Sequence, residues 1–249
     1  MAATLTDAEV WAERPPFPAD EPPSTTDPEA VLAYERAASD ALETLTDTRR
    51  GRASGDYVTY QWMLSFYGEY ALHPLLGDVA DALADSGLEI VPRDRVYLPL
   101  LRVGAAEDIT DDELQRIEWR AREWAGDQLQ FKIAVGPPQL GPGGVRLSAT
   151  PWTDLIRTRK ALRGTTRDVI GLRGPWLREL IPFRPHVPVA YATGPTPADG
   201  VRERLACMPA HRPIVLRVRR LTLVRLTRGP AGPSWYTVAD MALGSRAGF

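Results

Sequence analysis

The chain is short of most residue types from which catalytic and structural sites are built. It has one cysteine, Cys207, three histidines, and only two lysines, Lys132 and Lys160, among its 30 basic residues. A single cysteine excludes an internal disulfide framework and a multi-cysteine zinc site. His73, His186 and His211 are scattered, with no HxxxH or HxH spacing, so no metal centre is expected. There is no GxSxG serine and no GxxxxGK[ST] loop, which removes the usual nucleophile elbow and phosphate cradle. Gly141, Gly143 and Gly144 sit in a proline-broken turn, not at a strand-to-helix junction. No apolar run approaches the ~20 residues of a membrane span. The N-terminal stretch lacks the basic-then-apolar order of a secretory signal. The expectation is a cytoplasmic protein with no membrane partner and no cofactor.

Charge is present but unevenly spread. The chain's 30 basic and 32 acidic residues leave a net charge of −2, which excludes a uniformly basic nucleic-acid binder. Residues 1–50 hold eleven Asp/Glu against four Arg, while residues 157–228 hold sixteen Arg/Lys against four Asp/Glu. Either an acidic arm balances a basic surface of the same molecule, or the basic stretch forms a face that attracts an anion.

Residues 1–28 are acidic and proline-rich, with too little apolar surface to offset ordering entropy, and read as an extended arm. Residues 29–55 read as an N-terminal helix and loop. Asp27-Pro28 opens that helix, which the apolar spacing carries to about Thr46. The rest, residues 56–249, reads as one two-lobed domain. A strand is expected over Tyr57–Phe66, with Val58, Tyr60, Trp62, Leu64 and Phe66 on a core face and Thr59, Gln61, Met63 and Ser65 on an open one. Helices are expected over 71–86, 108–127, 151–170 and 201–208, with Trp119 and Trp124 as core. Strands are expected over 88–91, 95–103, 130–135, 145–149 and 184–191, and over 213–226 and 235–243 as a long hairpin. This is an α+β order with largely antiparallel strands, not a regular βαβ alternation.

One internal echo stands out. Tyr97-Leu98-Pro99-Leu100 and His186-Val187-Pro188-Val189 each lie on a strand with a glycine a few residues on. In each, the first and third side chains share a face. Leu98, Leu100, Val187 and Val189 are expected to pack against helices. Tyr97, Pro99, His186 and Pro188 are expected to face a common concavity.

The layout resembles the 2H phosphoesterases, the group of 2′,5′ RNA ligase-like proteins and cyclic phosphodiesterases. FRPHVPVAY resembles that family's second histidine strand. RDRVYLPLLRVG followed by ITDDEL looks like the stretch that carries its first histidine, and LTLVRLTRG…WYTVADMALG looks like its closing hairpin. The resemblance covers roughly Tyr57 to Gly244 and implies duplicated antiparallel sheets with outer helices around a central cleft. It also implies two His-x-Thr/Ser motifs, one histidine acting as base and one as acid, with each hydroxyl holding the phosphate. Here the first histidine is Tyr97, and both hydroxyl positions are proline, Pro99 and Pro188. Proline offers neither a hydroxyl nor an N–H. Loss of a general acid or base removes ~10²–10⁴ in rate, and each lost phosphate donor costs about 1–3 kcal/mol.

The expected site therefore has His186 (ordinary pKa near ~6.5) and Tyr97 (near ~10) as acid/base or hydrogen-bonding groups. Pro99, Pro188, Gln61, Met63 and Ser65 are expected to line the floor. Arg102, Arg184 and Arg225 are candidate anionic handles, and Tyr236 is placed to close the cleft, with Trp235 as packing. Three functions fit. One is an enzyme turned to a small, largely apolar molecule by isomerisation or cyclisation. Another is a cyclic phosphodiesterase or RNA ligase-like enzyme, acting on RNA or nucleotides with altered residues. The third is a catalytically dead module that binds a ligand or partner.

Overall fold

The computed structural model describes residues 21–47, 57–175, 183–229 and 232–245. The expected arm to residue 20 and the expected loop 49–55 lie outside the described residues. Helix α1 spans Pro28–Asp40, with the Asp27 carboxylate accepting from Glu29 N–H and proline in the first turn. It stops earlier than the apolar pattern suggests. The reason is tertiary: the Arg202 guanidinium donates to the Ser39 and Leu42 carbonyls and ends the helix. The next residues form strand β1, Thr44–Leu45, paired with β8, Thr196–Pro197.

The remaining strands form two antiparallel sheets. The first contains β2 (Tyr57–Ser65), β4 (Tyr97–Ala105), β10 (Arg220–Gly229) and β11 (Gly232–Ala242), in the order β11-β10-β2-β4. The second contains β3 (Glu89–Ile90), β5 (Phe131–Gly141), β6 (Gly144–Thr150), β7 (His186–Tyr191) and β9 (Ile214–Val218), in the order β3-β7-β6-β5-β9. The single strand expected over 213–226 is thus two strands in two sheets. The chain leaves β9 at Val218, crosses at Arg219, and enters β10 at Arg220.

Four further helices are α2 (His73–Leu83), α3 (Asp111–Gly126), α4 (Thr153–Ile170) and α5 (Ala198–Ala206). α3 starts in a capping box: Thr110 Oγ accepts from Glu113 N–H, and the Glu113 carboxylate accepts from Thr110 N–H. The N–H groups of Trp152 and Thr153 at the start of α4 both donate to the Thr25 carbonyl, so the arm's last residues cap that helix. α3 and α4 pack together and reach β11 and β4, while α2 and α5 pack together and α5 reaches β5. No helix among the described residues is long and apolar enough to cross a membrane.

The main core draws Trp62, Leu64 and Phe66 from the β2 region, Leu98 and Leu100 from β4, and Val187 and Val189 from β7. Trp124 packs at its edge, but Trp119 is an exposed tryptophan and not core. The face of β2 expected to be open is largely covered too: Thr59, Gln61 and Met63 are buried, and only Ser65 is exposed. Met63 joins Tyr97, Val224 and Leu226 in a second, smaller apolar cluster, against which Trp235 packs. On the five-stranded sheet the face opposite the core is polar, with Arg146 across from Pro188 and Ser148 across from His186. α1 lies over this sheet, packed on β5 and β6, and its Ser39 hydroxyl accepts from Leu140 N–H.

Candidate functional site

The two echoed stretches start β4 and β7, and these strands pack against each other although they belong to different sheets. Both prolines stand at breaks in the ladder. Pro99 pairs with Met63 beside a register shift of β2 on β4, and Pro188 pairs with Arg146 beside a register shift of β6 on β7. A strand proline is tolerated at such an irregularity because a ladder hydrogen bond is already missing there.

Each half of this seam has its own chemistry. On the β4 side, Tyr97 is buried, with its ring edge-on to Trp235 at 5.1 Å and 67°. Met63, Val224 and Leu226 complete an apolar wall. Gln61 is buried on the same face, opposite the half-buried Arg102. Ser65 lies at the open end, in a groove of about 590 Å³ that Trp235, Arg217 and Arg219 also line.

The β7 side is polar. His186 is half-buried, and its Nδ1 lies 2.7 Å from the Arg184 carbonyl. Burial, and after it the Arg146 charge, push its pKa down to about 4, with the carbonyl contact acting the other way. The ring is therefore neutral at pH 7. Its Nδ1–H donates to the carbonyl, and its Nε2 keeps a lone pair. Arg184 is buried, with its guanidinium over the Tyr34 ring at 5.5 Å. Desolvation lowers its pKa to about 10, which leaves it charged.

Two expected site residues belong elsewhere. Arg225 pairs with Tyr60 and with Tyr236, on the face of the sheet that carries Trp62 and Leu223. Strand alternation turns that face away from Met63 and Tyr97, so Arg225 and Tyr236 stack on each other at 5.7 Å on the opposite face of the sheet. Conversely, Glu35, Arg146 and Ser148 were not expected. The run Val145 to Thr150 alternates apolar and polar residues, and that signal places Arg146 and Ser148 on one face. Nothing in the sequence joins them to Glu35. Among the described residues no group of three or more His, Cys, Asp or Glu is placed to hold a metal ion.

Residues 83–230, more than half of the chain, match the 2′-5′ RNA ligase superfamily. The chain belongs to that superfamily. A 2H fold similar to this one is seen in the Thermus thermophilus protein TT0787, at 20% identity and TM-score 0.58 over 76% of this chain and 98% of that one. It is also seen in Escherichia coli LigT, at 14% identity over 76% of this chain and 99% of LigT. The TM-score is 0.51 for the NADP⁺ complex and 0.50 for the 3′-AMP complex. Identities this low establish the 2H fold alone. No curated protein matches the chain. The solved structures leave about a quarter of this chain without a counterpart, and α1 lies outside the residues that match the superfamily.

Proposed function

We propose that this superfamily member is an enzyme whose cleft has been turned from cyclic phosphate to a small, largely apolar molecule. His186 Nε2 is its proton acceptor or hydrogen-bonding group, and Tyr97 is part of the wall. The observation that carries this reading is a neutral, tautomer-fixed His186 on a seam whose other side is the apolar wall of Tyr97, Met63, Val224 and Leu226. Two-histidine phosphate chemistry needs a second histidine and two hydroxyls. The corresponding positions here are Tyr97, Pro99 and Pro188. A neutral imidazole beside an apolar wall suits proton transfer within a substrate, as in an isomerisation or cyclisation.

The test is hydrolysis of 2′,3′-cyclic nucleotides and of RNA ending in a 2′,3′-cyclic phosphate, by wild type and by His186→Ala. No turnover above background is expected from either. Turnover that is lost by about 10²-fold or more in His186→Ala identifies an altered phosphodiesterase and overturns the proposal. With apolar small-molecule libraries, binding without turnover points to a non-catalytic ligand-binding module instead.

A further inference from the structure

α1 brings a carboxylate to the polar side of the seam. Glu35 is fully buried, and its Oε1 lies 3.6 Å from Nη2 of Arg146, itself a buried arginine. Neither Glu35 oxygen makes a hydrogen bond, and neither do Nε and Nη2 of Arg146, which form one edge of the guanidinium fork. Burial pushes the Glu35 carboxyl pKa up, and the Arg146 charge, then the Ser148 hydroxyl and the Arg184 charge, act against it. On β6 and β7, Arg146 stands across from Pro188 and Ser148 across from His186, so Glu35 faces the strand pair that carries the second motif.

α1 is not a loosely seated gate. Val31 and Ala38 are buried. Leu140 N–H donates to Ser39 Oγ at 3.0 Å, and Arg202 holds the carbonyls at the helix end. The Thr25 carbonyl, just before α1, receives two N–H groups from the start of α4. The carboxylate is thus held in place from both ends of the helix. A buried arginine needs a counter-charge, and one whose charge is already balanced by a carboxylate of the chain gains less from a second anion. A second anion beside Glu35 meets like-charge repulsion in a poorly screened interior.

We propose that Glu35 is the chain's own anionic ligand for the Arg146 site and sets the selectivity of this half of the cleft. It excludes phosphate and other anions and leaves His186 to an uncharged group of the substrate. The second half of this statement rests on the enzymatic reading above. The first half stands without it.

The experiment uses the full chain as wild type, Glu35→Ala and Glu35→Gln. Glu35→Ala removes four non-hydrogen atoms, the same set that acetate contains. Calorimetric titration with acetate, acetamide and inorganic phosphate then separates charge from shape. Wild type is expected to take up none of the three. Folded Glu35→Ala is expected to take up acetate at least about tenfold more tightly than acetamide, as charge-assisted pairing requires. Equal affinity for acetate and acetamide overturns the proposal, as does phosphate binding by wild type that is unchanged in Glu35→Ala. If Glu35→Ala does not fold, Glu35→Gln decides. It keeps the shape without the charge, and is expected to gain a phosphate-dependent rise in melting temperature at pH 7 that wild type lacks; no such rise overturns the proposal. Neither readout involves substrate turnover, so this inference and the enzymatic one fail separately.

Discussion

His186 offers a direct physical test, because its environment makes a definite claim about protons. Its pKa falls from the ordinary 6.5 to about 4 in the folded chain, chiefly because burial disfavours the charged ring and next because of Arg146. In the unfolded chain the ring is free to protonate near its ordinary value. Above pH 6.5 both states are neutral and His186 has no effect on the pH dependence of stability. As pH falls from 6.5 to about 4, the unfolded state gains a proton that the folded state refuses, so stability is lost across that window. At about 1.4 kcal/mol per pKa unit, the full loss below pH 4 is about 3 kcal/mol. Part of the residue reaches solvent, which trims the effect to about 1–2 kcal/mol between pH 7 and pH 5. Glu35 works in the opposite direction. Its raised pKa means that the folded state keeps a proton after the unfolded state has lost it, so its contribution falls as pH rises above 4.5. The two are separated by urea unfolding of wild type and His186→Asn at both pH values. Asparagine can still donate to the Arg184 carbonyl but does not titrate. Wild type should lose about 1–2 kcal/mol more than the variant between pH 7 and pH 5. The His186 ring proton, followed by NMR and assigned from the variant, should not move over that range. A titration midpoint at or above pH 6, or equal losses in the two proteins, refutes the argument.

Two further outcomes test the packing around the site. Thr110→Ala opens the capping box of α3 and should cost about 1 kcal/mol, read as a lower melting temperature with unchanged secondary structure. Tyr97→Ala removes a buried ring and its edge-on contact with Trp235, and should cost about 3–5 kcal/mol in urea unfolding and change the near-ultraviolet circular dichroism. A cost of Tyr97→Ala below about 1 kcal/mol means that the ring is not packed as described.

Much of this architecture was legible because each β2 or β4 side chain had its period written out. Trp62 and Leu64 alternate with Gln61 and Met63, and the heavier set does enter the main core. The closure of the other face was not legible, because alternation says which residues share a face and not what will cover it. The sheet crossing at Arg219 was missed for a subtler reason. The run from Ile214 to Leu226 has no glycine or proline to break it, yet its residues in the main core slip parity, from Leu216 and Val218 to Leu221 and Leu223. That slip marks where the chain changes sheets. The expected place of Arg225 depended on the hairpin's register, which composition does not set. Glu35 was invisible in a stronger sense. A glutamate on a helix is ordinarily solvated, and it is residues distant in sequence, Arg146 first, that make its burial tolerable.

The two halves of the seam changed together in geometry but not in chemistry. Pro99 and Pro188 occupy equivalent places, each beside a register shift, so neither strand loses much ladder to accept its proline. Around them the solutions diverge. The first half closes over an apolar wall, with Arg102 half-buried across from Gln61 and with Arg217 and Arg219 along the groove at its open end. The second keeps two buried arginines, Arg146 and Arg184, and pairs the first with Glu35 from a helix outside the superfamily match. A cyclic phosphate, a monoanionic diester, draws its binding energy from donors on both sides at once, and here the Glu35 carboxylate sits beside the donors of the second side. On the proposed reading, the molecule that fits this seam carries its apolar body toward Tyr97 and an uncharged polar group toward His186. Neutral analogues should therefore displace it, and their anionic counterparts should not.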